Sequence, residues 1–152
     1  MIKIGSKAPS FNLIASDGKK YSLKDFSGKK IVLYFYPKDD TSGCTKEACD
    51  FRDNIDSFKK ENTIVLGISA DGIDKHNKFI KKYDLNFLLL SDEMKNILKK
   101  YNVWKEKSMY GRKYFGIERT TFIINEKGII KNIFNKVKVD GHVEEVLNQI
   151  KR

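Results

Sequence analysis

Residues 31–58 read IVLYFYPKDDTSGCTKEACDFRDNIDSF, and the rest of the chain is organised around this stretch. Ile31 to Tyr36 is apolar at every position, as a strand covered on both faces requires. Pro37 ends the run because it has no N–H for a sheet ladder. After a polar turn, the spacing predicts a helix with Cys44, Ala48, Phe51, Ile55 and Phe58 on one apolar stripe and Lys46, Glu47, Asp50, Arg52 and Asp53 off it. Cys44 then falls in a first helical turn, where free backbone N–H groups and the positive end of the helix dipole favour a thiolate over a thiol. This placement makes Cys44 a candidate nucleophile and Cys49 its candidate partner. The alternative is that Cys44 is a small buried apolar residue and Cys49 incidental.

The spacing of the two cysteines constrains what they can do together. Five residues along an ideal helix turn about 140° and separate two Cα atoms by about 8.7 Å. A disulfide spans at most about 7 Å between Cα atoms. A Cys44–Cys49 bond therefore requires the first helical turn or more to unwind. Cys49 also lies off the apolar stripe, so packing does not explain it.

Length and composition narrow the remaining classes. A chain of 152 residues suits one domain over 1–152, needing no disulfide framework for stability. Two cysteines and the scattered His76 and His142 do not make a zinc site of ordinary spacing, so neither metal nor cofactor is expected. The N-terminus lacks the apolar core of a secretory signal, and no apolar run approaches the ~20 residues of a membrane span. The expectation is a cytoplasmic protein in a reducing compartment, with no membrane partner, where a cysteine pair is more often catalytic than structural. The net charge is +10, but only four of the 30 basic residues are arginine and the lysines are dispersed among acids. That pattern describes a solvated surface rather than a face built for specific nucleic-acid binding.

Around the central stretch the pattern is alternating. Phe11 to Ala15 and Lys20 to Ser22 flank Ser16-Asp17-Gly18 as an N-terminal β-hairpin, with a helical turn near Leu23 to Phe26. Thr63 to Ser69 and Phe87 to Leu90 are further buried strands. Helices are expected from a cap near Asp74 through Tyr83, and from Met94 to Tyr101 behind Ser91-Asp92-Glu93. Val103 to Gly116 shows no clear period and is read as a loop with an extended end. Thr120 to Ile124 and Ile129 to Phe134 form a second hairpin, and His142 to Ile150 a closing helix. Such an order predicts an α/β fold whose sheet carries helices on both faces.

At this point the motifs bear on family. Pro37, Thr41 and Cys44 make a P-x3-T-x2-C pattern, and YFYPKDDTSGCTKEACDFRDN resembles the peroxiredoxins, closely the bacterioferritin-comigratory-protein or peroxiredoxin Q subfamily. APSFNL, TIVLGIS, LLLSDE, YNVW and GIERTTFIINEKG follow in family order along nearly the whole chain. The resemblance implies a thioredoxin-like fold with a central mixed sheet, and thiol-dependent reduction of hydrogen peroxide and organic hydroperoxides. By the same resemblance Cys44 is the peroxidatic cysteine, Thr41 donates its hydroxyl to the peroxide, and Pro37 walls the pocket. Arg119 sets a permanent charge beside the thiolate. Cys49 matches a resolving cysteine, forming an intramolecular disulfide that thioredoxin or a glutaredoxin-type donor reduces.

Further details follow from the same comparison of patterns. Ser42 stands where many members have proline, which loosens the turn before Cys44. Glu47 and Arg52 are expected to form a polar network, and Trp104, Tyr110 and Phe115 either pack or wall the substrate mouth. The protein is expected to be a monomer. The rivals are a general disulfide oxidoreductase, disfavoured because that chemistry uses C-x-x-C, a one-cysteine peroxidase with Cys49 idle, and a basic binding module.

Overall fold

In the computed structural model, which describes residues 2–152, the N-terminal hairpin forms as read: β1 (Asn12–Ala15) pairs antiparallel with β2 (Lys20–Ser22), ahead of a 3₁₀ turn at Leu23–Phe26. The central run becomes β3 (Lys30–Phe35), and its alternation divides the core. Ile31, Leu33 and Phe35 enter one apolar cluster, whereas Val32, Tyr34 and Tyr36 enter another on the opposite face. Burial on both faces is what a run without polar residues requires.

The chain next builds α1 (Ser42–Asp53) and α2 (Ile55–Lys60) where one continuous helix was expected. Asn54 interrupts it at φ −109° and ψ 7°, with its side-chain amide donating to Asp50 O at 2.8 Å. The apolar stripe survives the break, since Cys44, Ala48, Phe51, Ile55 and Phe58 all join the second cluster. Glu47 is a correction: it is buried although it was placed off the stripe.

β4 (Thr63–Ser69), α3 (Ile73–Tyr83) and β5 (Leu88–Ser91) follow. β3, β4 and β5 are mutually parallel. The helix expected behind Asp92 is shorter than its sequence pattern: α4 spans Asn96–Lys100, because Lys95 turns into the left-handed region at φ 64°. Asp92 still reaches it, accepting from Leu98 N at 2.8 Å.

The stretch read as a loop is a hairpin of its own. β6 (Trp104–Met109) and β7 (Arg112–Ile117) pair antiparallel through six registered positions. Its strands carry Lys, Arg and Glu between the aromatics, so neither face shows the alternation that reveals a half-buried strand. β8 (Thr120–Ile124), β9 (Ile130–Phe134) and α5 (His142–Lys151) complete the chain. The main sheet runs β2-β1-β5-β4-β3-β8-β9, with β8 antiparallel to β3, so it is mixed. Residues of α1, α2, α3 and α5 cover one face, and those of α4 and the 3₁₀ turn the other.

Gly67, in the middle of β4, is registered between Tyr34 and Leu89. A Cβ there would lie 2.8 Å from Leu89 Cδ2 and 2.9 Å from Tyr34 Cζ. The absent side chain is the space the Tyr34 ring occupies. Gly67→Ala should therefore destabilise the protein by about 1–3 kcal/mol, the range for overpacked cores, as read by urea unfolding. An unchanged midpoint would mean that the sheet has slack at its centre.

Candidate active site

Cys44 is the third residue of α1 and is 1% exposed. Its turn is closed by the Thr45 N–H donating to Thr41 O at 2.8 Å. The helix dipole and the free amides of this turn place positive potential at the sulfur.

A second positive charge arrives from far along the chain. Arg119 lies in the two-residue link between β7 and β8, whose backbone is held by Glu118 N–H to Val103 O at 2.8 Å and Val137 N–H to Arg119 O at 2.9 Å. From there the guanidinium donates through Nη2 to Cys44 Sγ at 3.3 Å and through Nη1 to Glu47 Oε1 at 2.7 Å. Gly43 makes the approach feasible, because a Cβ on it would sit 3.2 Å from Arg119 Nη2. Burial works against the Arg119 charge, but Glu47 and Cys44 outweigh it and hold the guanidinium above its ordinary value.

Glu47 is fully buried, and only one of its oxygens is partnered. Burial pushes its carboxyl up to about 7, against the opposing pull of Arg119. Beside it Tyr34 Oη is also buried without a partner. Burial raises the Tyr34 phenol, and Glu47 and Cys44 raise it further. On the other side of Arg119, His142 Nε2 meets Thr121 Oγ1 at 2.8 Å. Burial and then Arg119 push that imidazole down to about 4.

The residues singled out from the sequence separate into groups. Cys44 and Arg119 meet directly. Thr41 occupies the N-cap position, but its hydroxyl donates to Lys38 O at 3.0 Å instead of capping the helix. In this rotamer its lone pairs are open to a ligand at the turn, and rotation of the hydroxyl would let it donate instead. Pro37 is half-buried at the bend after β3. Cys49 is a free, partly exposed cysteine on the intact α1, and Cys44 is likewise free. The network expected of Glu47 and Arg52 does not form: Arg52 instead donates to Tyr83 O at 2.5 Å and to Asp53 Oδ1 at 3.0 Å. Tyr110 walls nothing, being 98% exposed at the tip of the β6–β7 hairpin, while Trp104 stacks on Phe115 at 6.3 Å. Lys107, from the same hairpin, was not foreseen; its ammonium donates to Ile117 O at 2.6 Å, and burial followed by Arg119 lowers its affinity for a proton. Among the described residues, no group of three or more His, Cys, Asp and Glu is placed to hold a metal, and no helix is long and apolar enough to cross a membrane.

The Glu47 shift has a measurable sign. In the unfolded chain this carboxyl loses its proton near 4.5, in the folded protein only near 7. Between those values the folded state binds more protons, so this group's contribution to stability falls as pH rises. His142, held neutral, works in the opposite direction below its ordinary value of 6.5, but it does so equally in parent and variant. Across pH 4.5 to 7 the parent should lose about 3 kcal/mol more unfolding free energy than Glu47→Gln. Parallel stability curves for the two proteins would show that the carboxyl is not titrating out of step.

Comparisons with known proteins agree with this geometry. The AhpC/TSA family model matches residues 4–133. A Bcp-type peroxiredoxin of Coxiella burnetii is 52% identical over 149 residues, covering 98% of this chain and 99% of that one. Peroxiredoxin Bcp of Bacillus subtilis is 47% identical over 150 residues, with 99% and 96% covered. Among solved structures, a cysteine-to-serine variant of Xylella fastidiosa PrxQ superposes with a TM-score of 0.94 at 37% identity, covering 99% of this chain and 96% of that one. The bacterioferritin comigratory protein of Xanthomonas campestris, whose alkyl peroxide reduction activity has been described from trapped complexes, gives 0.89 at 38%, with 93% and 90% covered. The mixed sheet flanked by helices is thus the thioredoxin-like fold expected, and the chain belongs to the AhpC/TSA family, within its Bcp and peroxiredoxin Q group of peroxiredoxin enzymes.

Proposed function

We propose that this chain acts as one catalytic domain over residues 1–152, reducing hydrogen peroxide and organic hydroperoxides through Cys44, with Cys49 as resolving thiol. One observation carries the reading: Arg119 donates to the Cys44 sulfur at 3.3 Å while its other amino group is held by Glu47 at 2.7 Å. A fixed guanidinium beside a buried sulfur stabilises the charge that a thiolate brings and that the departing oxygen develops. The alkyl peroxide activity described for the Xanthomonas relative extends the substrate class to organic hydroperoxides.

In this cycle the Cys44 thiolate attacks one peroxide oxygen. The S–O bond forms as O–O breaks, and the leaving oxygen takes a proton to depart as water or alcohol. Thr41 accepts from the peroxide O–H, and Pro37 closes the pocket without adding a donor of its own. Arg119 follows the charge from sulfur to leaving oxygen. Cys49 then attacks the sulfenic sulfur, an S–S bond forms, and water leaves. Thioredoxin or a glutaredoxin-type dithiol returns both cysteines to thiols by exchange. The enzyme works as a cytoplasmic monomer without metal or cofactor. Cys49 fits the resolving role by its partial exposure and its place five residues on.

Peroxide consumption coupled to thioredoxin, its reductase and NADPH tests the assignment. Cys44→Ser should abolish turnover. Cys49→Ser should still form one sulfenic acid per chain yet lose thioredoxin-linked turnover. Full activity in Cys44→Ser would refute the assignment, and sustained activity in Cys49→Ser would move resolution to an external thiol. Because α1 is intact across Ser42–Asp53, disulfide formation must unwind at least its first turn. Oxidation should therefore lower the helical far-UV circular dichroism signal, and identical spectra for dithiol and disulfide forms would contradict it.

A further inference from the structure

The cycle above uses Pro37 and Thr41 from the loop between β3 and α1, and between those two residues the loop also contains a buried carboxylate. Asp39 lies two residues after Pro37 and two before Thr41, with a side chain 4% exposed. Its Oδ2 is 2.7 Å from Nδ1 of His76, a fully buried residue of α3, and its Oδ1 accepts from Tyr36 Oη at 2.5 Å. The other imidazole nitrogen, Nε2, is 2.9 Å from Leu90 O in β5. Both ring nitrogens are therefore engaged, one by the loop and one by the sheet, and the pair is buried on every side. The backbone of the loop is fixed as well, by Asp39 N–H to Asp71 Oδ2 at 2.8 Å. Asp71 is itself held by Ser69 Oγ at 2.9 Å, with Lys75 Nζ 3.9 Å away. The next residue, Asp40, accepts from Tyr83 Oη at 2.6 Å and Lys82 Nζ at 2.9 Å, so α3 grips the loop twice.

Stability alone does not account for such a pair, because apolar side chains of similar volume commonly serve as well. What the pair adds is intolerance of displacement: moving Asp39 breaks its bonds to His76 and Tyr36 inside the core and leaves buried polar atoms without those partners. We propose that Asp39 and His76 are a positioning pair, through which α3 and β5 fix the path of the chain into Thr41 and Cys44. Neither residue touches the sulfur. The inference rests on the peroxidase reading of Cys44 and adds to it the element that aims the reactive loop.

The test separates rate from stability. His76→Leu removes the bond from α3 to Asp39 Oδ2 and leaves that buried oxygen without a partner, which should displace the loop and slow single-turnover oxidation of Cys44 by hydrogen peroxide about tenfold or more. The rate is read on protein shown by circular dichroism to be folded, and the KM for thioredoxin should not change. Replacing both partners, Asp39→Ala with His76→Leu, removes the unpaired polar group and should recover stability, but it also removes the tether and should leave oxidation within about threefold of the slow single variant. Should His76→Leu not fold, Tyr36→Phe removes one bond to Asp39 while keeping the ring, and a milder slowing is expected. The proposal is overturned if His76→Leu loses only thermal stability and oxidises at the parent rate, or if the double variant oxidises at the parent rate. A parent that shows no peroxide-dependent oxidation of Cys44 would remove the peroxidase reading instead, whatever the stability of the variants.

Discussion

A guanidinium that bonds a sulfur with one amino group and a carboxylate with the other fixes the relative places of three chain segments, and the active-site end of this fold is arranged to allow it. The turn after β3 brings Cys44 in at the start of α1, and the link between β7 and β8 brings Arg119 to the same spot. Glu47, one turn after Cys44, is carried inside by the same helix. Gly43 keeps the space between them open. The electrostatics are asymmetric. Helix amides and Arg119 support negative charge at the sulfur, whereas Glu47 is costly to ionise where it sits. Its value lies in holding the arginine, whose rigid fork would otherwise be free to swing to water.

That arrangement and a Cys44–Cys49 disulfide exclude one another. Unwinding the first turn removes the amides from the sulfur and withdraws it from Arg119, so in the proposed cycle the group that activates Cys44 toward peroxide is left behind before Cys49 can reach it. Oxidation and resolution then occur in two different conformations of the same dozen residues. The first turn is suited to leaving. Its N-cap side chain makes no capping bond, its first turn holds no acid, and Ser42 occupies the position where proline would have preset the helix.

Most of the scaffold was legible because its elements are strongly patterned. The run from Ile31 to Tyr36, the strand at Thr63–Ser69 and the helix from His142 each have a single physical interpretation. Cys44 and Arg119 were legible through motif resemblance, and the structure brings them into contact. Glu47 and the β6–β7 hairpin were not. A glutamate between lysine and alanine is read as exposed, and only its arginine partner, 72 residues away, makes its burial tolerable. The hairpin is a two-stranded ribbon outside the main sheet, and its aromatics stack along the ribbon without filling a core, so no periodicity announces it. Asp39 and His76 escaped for the reason that Glu47 did, since a side-chain bond across 37 residues leaves no local signature.

The break at Asn54 completes the account of how a helix can be both core and switch. Ile55 and Phe58 pack in the same cluster as Cys44, Ala48 and Phe51, so a single helix from Ser42 to Lys60 would carry any unwinding of its first turn toward side chains the core depends on. Separate helices uncouple the two. Asn54 already sits outside helical geometry, with its amide bonded back to Asp50 O and its own N–H donating to Phe51 O, so α2 does not need α1 in register to remain folded. Upstream, Asp39 and Asp40 are fastened to α3. Between Asp40 and Asn54 lies α1, which contains both cysteines; its second half is held by Ala48 and Phe51 in the core and by Arg52 on Tyr83 O, and its first turn is the less anchored part. In the proposed cycle that first turn can open without exposing the sheet beneath α2, because the bonds of Asp39 and Asp40 to α3 and the break at Asn54 lie outside it.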